Sequence, residues 1–485
     1  MSNPLAVLRV FSLVLLVFAH TMLVPATAAF VAQDSAVGAF EFAFLITASA
    51  AALVWLATRR HTEELRVRDG FLLVSMVWVL VPGFAAIPFL LFFPDMGFTD
   101  AYFESVSGLT TTGATVIEGL DTLPFSVNLW RAILVFLGGM GLIVLAVAIL
   151  PLLGVGGRQL FSAESPGPIK ETRLTPRMAE TAKGLWLVYL AMAIACTVGY
   201  RWAGMDWGEA FIHMFTTLGL GGFSSHDASY AFFNSPAIEA VAIVFMTLAG
   251  MNFATHFMAV RRRTLLFYWA DPEIRWYVGV MYASVLGIAA FLWFTDTYPD
   301  FPTALRFSAF NVVSIATTTG YANTDYATWP FFAPLWMLFL CSFVTCAGST
   351  GGGIKMMRAL IVFRQVMREI VRTVHPNAVR AVKLSETPLT TKIIFAVMAF
   401  AFAYMAIIVS LTLLMSFSGL DIVTGFSATV ASINNTGPGL GEVGPATTFK
   451  SLNDFQIWVC TVAMLLGRLE IFTLLVVFSP AFWRK

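Results

Sequence analysis

Four stretches of this 485-residue chain run through small or polar residues into a glycine: Leu109-Thr110-Thr111-Thr112-Gly113-Ala114, Leu218-Gly219-Leu220-Gly221-Gly222-Phe223, Thr317-Thr318-Thr319-Gly320-Tyr321 and Ile433-Asn434-Asn435-Thr436-Gly437-Pro438. None holds an acidic or basic residue. The chemistry open to them is that of backbone carbonyls, hydroxyls and amides, which can replace the water around a cation. Their glycines lie 109, 98 and 117 residues apart, so one unit occurs four times. Register extends past the glycine: Gly222-Phe223-Ser224-Ser225-His226-Asp227 aligns with Gly320-Tyr321-Ala322-Asn323-Thr324-Asp325. A second glycine follows at 26, 28, 28 and 30 residues, at Gly139, Gly250, Gly348 and Gly467.

Two further features stand near these stretches. The run Gly348-Ser349-Thr350-Gly351-Gly352-Gly353, followed by Lys355, cannot remain a quiet helix at roughly 1 kcal/mol per glycine relative to alanine. It reads as an intramembrane loop able to obstruct a pore, or as a kink packed on a neighbour. Arg468 and Glu470 sit in the last apolar segment, where an ionisable group needs water or a partner. Arg468 directly follows Gly467 and is expected just inside the four-stretch level, as a charge barrier or as half of a structural salt bridge.

The elements that must position these residues follow from composition. Hydrophobic residues make up 58% and charged residues 12%, against roughly 25% charged in a soluble domain, which excludes a water-soluble protein. Apolar segments at 10–30, 38–58, 70–93, 129–153, 184–204, 236–259, 274–294, 331–365, 392–416 and 455–483 predict ten crossings. With both termini on one side, that side carries 24 Lys and Arg and the other only Arg131, Arg201, Arg306 and Lys450, which makes the basic side cytoplasmic. Seventeen acidic residues fall outside and ten inside, so the faces carry −13 and +14 and the net charge of +1 is a cancellation. A negative outer mouth attracts cations. The overall balance gives no reason to expect a nucleic-acid partner. Residues 1–30 resemble a signal peptide in outline but are expected to stay as a helix. Cys196, Cys341, Cys346 and Cys460 lie in or near apolar segments and form no disulfide or zinc pattern.

Irregular backbone at membrane depth survives only where its polar groups face protein or a water-filled path. Each unit therefore reads as helix, re-entrant half helix, filter-like strand, helix. The fold class expected is an all-α polytopic membrane protein, with two N-terminal transmembrane helices plus four pseudo-symmetric helix–pore-loop–helix repeats around a central ion pore. The divisions are 1–69 for the two extra helices, then repeats at 70–157, 158–260, 261–391 (with the glycine loop and a cytoplasmic basic segment) and 392–485.

Thr111-Thr112-Gly113, Gly221-Gly222-Phe223-Ser224-Ser225-His226-Asp227, Thr318-Thr319-Gly320-Tyr321 and Gly348-Ser349-Thr350-Gly351-Gly352-Gly353-Ile354-Lys355 resemble the TrkH/KtrB/HKT superfamily of potassium transport proteins, and the ten-span layout resembles its TrkH branch. The resemblance implies potassium uptake through a channel-like pore in a bacterial inner membrane, with both termini cytoplasmic. It also implies a homodimer and a cytosolic nucleotide-binding regulatory subunit of the TrkA type. Potassium ions bound in the filter would be its only ligands, with no covalent cofactor. Carried residue by residue, the filter is Thr111, Thr112, Gly113, Leu220, Gly221, Gly222, Thr318, Thr319, Gly320, Asn435, Thr436 and Gly437. The gate is Gly348, Ser349, Thr350, Gly351, Gly352, Gly353, Lys355 and Arg468. Leu220-Gly221 and Asn435-Thr436 depart from Thr-Thr, so the ring is chemically uneven and selectivity is expected to be looser than in a fourfold-symmetric channel.

Several patterns lead elsewhere. Gly439-Leu440-Gly441-Glu442-Val443-Gly444 satisfies a dinucleotide fingerprint but lacks its strand and helix. Gly348 to Lys355 imitates a phosphate loop with the lysine displaced. His213, His226 and His256 are too scattered for a metal site, and no nucleophile has a nearby base, so an enzyme is not expected. The basic segment from Lys355 to Lys392 reads as a membrane-surface helix or, with 157–183, as a docking face for the regulatory subunit. The competing function is a Na⁺- or H⁺-coupled secondary transporter, which would normally show inverted repeats.

Overall fold

The computed structural model describes residues 4–63, 65–141, 178–378, 380–384 and 387–484. Apart from a short antiparallel ladder between Lys383–Leu384 and Thr387–Pro388, regular structure among these residues is helical. Among the described residues, six helices are long and apolar enough to cross a membrane: Pro4–Ala32, Val37–Thr58, Arg68–Phe92, Lys183–Ala203, Pro272–Phe294 and Thr391–Phe417. The first two pack on repeat one, where Phe18 and Phe40 meet Trp130 with ring centroids 5.8 and 6.2 Å apart.

The remaining four of these helices each lead into a short pore helix: Phe98–Leu109, Trp207–Gly219, Phe301–Ala316 and Ile422–Ile433. Each pore helix begins beside an acid, with Asp100 in the first turn of the first and Asp206, Asp300 and Asp421 at the N-caps of the others. Asp300 accepts from Thr303 N at 2.8 Å and Asp421 from Val423 N at 2.9 Å. Acids there satisfy open N–H groups and complement the positive end of the helix dipole.

The closing helices of repeats two and four differ from the sequence expectation, while that of repeat three breaks at the glycine run as expected. Segments 236–259 and 455–483 were expected as straight spans, yet Pro236–Ala249 and Phe253–Arg262 meet at 93°, and Asp454–Arg468 and Phe472–Phe478 at 110°. In repeat three, Phe332–Leu340 gives way to an extended loop before Met356–Val374, and in repeat one Phe125–Phe136 widens into a π turn at Leu137–Gly141. Close packing against the pore helices explains the position of the breaks. A Cβ on Gly138 would stand 1.8 Å from the Leu109 carbonyl oxygen, and one on Gly467 1.9 Å from that of Ile433. The backbone groups released at two breaks find each other: Cys346 N donates to Gly250 O at 3.0 Å and Phe253 N to Gly348 O at 3.1 Å. Such pairing is what non-helical backbone needs at membrane depth. The end of the 129–153 segment and the basic stretch 157–183 as far as residue 177 lie outside the described residues.

Candidate ion pathway

The four pore helices end in the same way. The residue two before each glycine is left-handed: Thr111 at φ 57°, Leu220 at 54°, Thr318 at 62° and Asn435 at 55°. Its N–H bonds three residues back, and the next N–H bonds five back, as in Thr112 N to Ser107 O at 2.8 Å and Thr319 N to Ser314 O at 2.8 Å. This is the paired hydrogen bonding of a Schellman cap, which turns the chain out of the helix and satisfies its last carbonyls. A left-handed non-glycine residue costs about 1–2 kcal/mol, so four at equivalent positions mark a backbone shape held by its surroundings.

The glycines that follow close a ring. A Cβ on Gly113 would lie 2.2 Å from Gly221 O, on Gly222 2.2 Å from Thr319 O, on Gly320 2.0 Å from Thr436 O, and on Gly437 2.7 Å from Thr112 O. Each repeat thus faces the next in chain order, and the fourth faces the first. All four glycines have positive φ, from 59° to 93°. No side chain fits either the space or the conformation.

Side chains pin the ring from behind. Thr112 Oγ1 lies 2.7 Å from Thr110 Oγ1, and Thr319 Oγ1 lies 2.8 Å from Thr317 Oγ1. Asn435 Nδ2 donates to Thr112 Oγ1 and to Met464 O, both at 3.0 Å, joining repeats four and one. Gly221 replaces threonine in the second copy because Val135 fills the space, 2.4 Å from where its Cβ would be. The chemical unevenness noted in the sequence therefore sits on a backbone that is conformationally uniform.

Beyond the ring on the acidic side lies a funnel of about 590 Å³, lined by Gly113, Gly222, Gly320 and Gly437 and by Glu118, His226, Asp227 and Glu442. Its wall is a polar network. Buried Arg131 donates to Glu104 at 2.8 Å and to Ser224 O at 2.9 Å. His226 Nδ1 bonds Asp121, its Nε2 lies 3.6 Å from Glu209, and His213 Nδ1 lies 3.3 Å from the same Glu209 carboxylate. Burial acts to raise the Asp121 carboxyl, but hydrogen bonds from His226 and the Asp227 N–H outweigh it and hold the group below the usual carboxylate value. Two of the histidines that looked scattered in sequence are thus brought together on one carboxylate. Among the described residues no group of three or more His, Cys, Asp and Glu is arranged to hold a metal ion.

On the other side of the ring the glycine loop is seated against the pore-helix ends. Gly352 has no room for a side chain: a Cβ there would lie 2.0 Å from Asn434 O, while its N–H donates to Thr318 Oγ1 at 2.9 Å. Thr350 Oγ1 donates to Leu218 O at 2.9 Å, and Lys355 Nζ folds back onto Gly351 O. Arg468 lies at the same level and donates to Thr350 O at 2.9 Å, Thr111 Oγ1 at 3.2 Å, Gly139 O at 2.9 Å and Gly138 O. Glu470 instead pairs with Arg358 at 2.5 Å. The sequence reading did not single out Arg358. It also passed over Glu273, a buried carboxylate that accepts from Ala347 N at 2.7 Å and Met357 N at 3.1 Å and so holds both ends of the loop. Its place two residues before the basic Arg275, at the start of an apolar span, was the one available signal.

The fold and ring define a class: a polytopic helical membrane protein with four helix–pore-loop–helix units around a central ion pore. The TrkH family model, described as a cation transport protein, matches residues 38–485. The Trk system potassium uptake protein TrkH of Escherichia coli K12 is 43% identical over 481 residues, covering 99% of each chain. The protein of the same name from Vibrio parahaemolyticus is 45% identical over 489 residues, again 99% of each. The crystal structure of the potassium transporter TrkH from Vibrio parahaemolyticus superposes with a TM-score of 0.90 at 42% identity, covering 99% of this chain and 100% of that one. The chain belongs to the TrkH family. Its relatives are transport proteins, so it is not an enzyme.

Proposed function

We propose that this chain is the ion-conducting subunit of a Trk-type potassium uptake system, and that its selectivity filter is the ring at Gly113, Gly222, Gly320 and Gly437. The observation that carries this reading is the closed cycle of glycines, each against a carbonyl of the next repeat. Carbonyls of Thr112, Gly221, Thr319 and Thr436, with those of Thr111, Leu220, Thr318 and Asn435, replace water around a dehydrated K⁺. The C-terminal ends of four helix dipoles point at the same place and favour a cation.

The glycine loop from Gly348 to Gly353, with Lys355, closes the path behind the filter, and Arg468 adds a like charge. At an effective dielectric of 20, two unit charges about 4 Å apart repel by about 4 kcal/mol. Ser349 and Thr350 move with the loop. A cytosolic nucleotide-binding subunit of the TrkA type docks on the basic helix Met356–Val374 and draws the loop away, in a homodimer whose basic face is cytoplasmic. Copurification with that subunit is expected to be lost on neutralising Arg364, Arg368 and Arg372; undiminished copurification would sink the docking face. The functional units are residues 70–157, 158–260, 261–391 and 392–485, with 1–69 outside the ring.

Flux into proteoliposomes tests the central reading, with K⁺, Rb⁺, Na⁺ and Li⁺ compared. Faster K⁺ and Rb⁺ entry without a second solute is expected. Transport of Na⁺ or H⁺ in fixed ratio to K⁺ would establish a coupled transporter instead.

A further inference from the structure

We propose that the cleft between the start of the span Pro272–Phe294 and the amphipathic helix Met356–Val374 binds an anionic phospholipid, with its phosphate held by Arg275 and Arg364. The cleft encloses about 930 Å³, with both arginines in its lining and Trp276, Gly279, Val280 and Ala283 continuing along the span. It therefore has two guanidinium groups and an uncharged, largely apolar trough. A lipid has the complementary layout of one charged head and acyl chains.

The position suits that ligand. Arg275 is exposed in the first turn of a 23-residue apolar helix, at the level where hydrocarbon begins. The positive end of that helix's dipole adds to the field. Trp276 is half exposed, and Trp269 on the adjoining short helix Leu266–Ala270 is 74% exposed, as expected of aromatic residues at headgroup depth. From the helix Met356–Val374 the cleft takes Arg364, and the same helix exposes Phe363, Met367 and Ile370 outside the cleft, apolar residues suited to a membrane surface. At Gly279 no heavy atom stands within 4 Å of where a Cβ would be, so the trough is open for a chain.

Nearby carboxylates are engaged elsewhere. Asp271 accepts from Glu273 N at 2.9 Å and Thr255 Oγ1 at 3.3 Å, and Glu273 accepts from the loop backbone. Arg364 donates to Lys383 O, and its guanidinium retains further N–H donors for a phosphate. A zwitterionic headgroup would bring its own ammonium against the two arginines, so the site selects a net anionic lipid.

The test uses the full-length protein in detergent, with lipid retention measured by native mass spectrometry. Dioleoyl phosphatidylglycerol is the probe, dioleoyl phosphatidylcholine the zwitterionic control and inorganic phosphate the free-anion control. We expect phosphatidylglycerol to be retained in preference to phosphatidylcholine, and phosphate not to displace it. Arg275→Gln with Arg364→Gln should weaken retention about fivefold per arginine. Arg275→Lys with Arg364→Lys should restore it, a rescue that a purely structural role does not predict. The charge-matched pair Arg262→Gln with Arg263→Gln, outside the cleft, should bind as the parent does. Equal retention of both lipids, displacement by phosphate alone, or equal losses in the two Gln pairs would overturn the proposal. So would unchanged lipid retention with loss of the dimer, which would make the cleft a contact between two copies.

Discussion

Arg468 donates from Nη1 to the carbonyl oxygen of Thr350 at 2.9 Å, so the closing helix of the fourth repeat holds the glycine loop of the third. The same guanidinium reaches Gly139 O in the first repeat at 2.9 Å. One side chain both latches the loop and places a positive charge beside it.

Arg468→Ala removes latch and charge together. K⁺ influx into proteoliposomes without the regulatory subunit is expected to rise about tenfold, which corresponds to about 1.4 kcal/mol of barrier. Arg468→Lys retains the charge and loses the forked donor, so it should fall between. An unaltered rate in the alanine variant would assign Arg468 to packing alone.

Gly352→Ala tests the seat of the loop. Its Cβ would lie 2.0 Å from Asn434 O, a backbone atom with little freedom to give way. The loop is expected to unseat and basal K⁺ flux to rise, with faster cysteine labelling at position 349 in a Ser349→Cys background. Flux and labelling both equal to the parent's would argue for a simple kink.

The ring predicts a ranking. Alanine at Gly320 would meet Thr436 O at 2.0 Å, whereas alanine at Gly437 would meet Thr112 O at 2.7 Å. Both positions have φ near +90°, so backbone strain of about 1–2 kcal/mol is common to the two and the clash decides. Discrimination of K⁺ over Na⁺ should fall further in Gly320→Ala than in Gly437→Ala. The reverse order would separate selectivity from this ring.

Arg131 and Glu104 form a buried pair with side chains 1% and 0% exposed. Arg131→Met leaves Glu104 buried without its cation, which costs about 3–5 kcal/mol. A large fall in melting temperature in detergent is expected. The double variant with Glu104→Leu should recover much of it, because no charge is then stranded. A single variant as stable as the parent would contradict the pairing.

Asp121 gives a pH dependence. Its carboxyl is held below the ordinary value of 3.8, so the bonds it makes add stability above that value and lose it as pH falls through the lower folded-state value. The difference in melting temperature between the parent and Asp121→Asn should be constant from neutral to mildly acidic pH and close only below about 3.8. Closure between pH 5 and 6 would show that the carboxylate is not held down.

Much of this arrangement is legible in the sequence because it is periodic. The glycines at 113, 222, 320 and 437 give the repeat, and six apolar segments coincide with helices of spanning length. What escapes reading depends on contacts distant in sequence. Asn252 caps the helix that follows the bend, but the sharpness of the break after Gly250 rests on Cys346, almost a hundred residues on, and Leu469-Glu470-Ile471 carries no glycine or proline to mark the other. Leu220 is a poor residue for a left-handed position and occupies it because its helix ends as the other three do. Arg131 counts as one cation of the acidic face in a charge tally, yet it is an interior residue that ties the first two repeats.

The closed ring has a consequence for how the protein is made. Gly437 meets Thr112, so the last repeat to be synthesised completes the rim begun by the first. Until that seam forms, a nascent chain in the bilayer has only an open arc of backbone. An unfinished translation product therefore holds no assembled conduit through which the cell's ion gradients could drain.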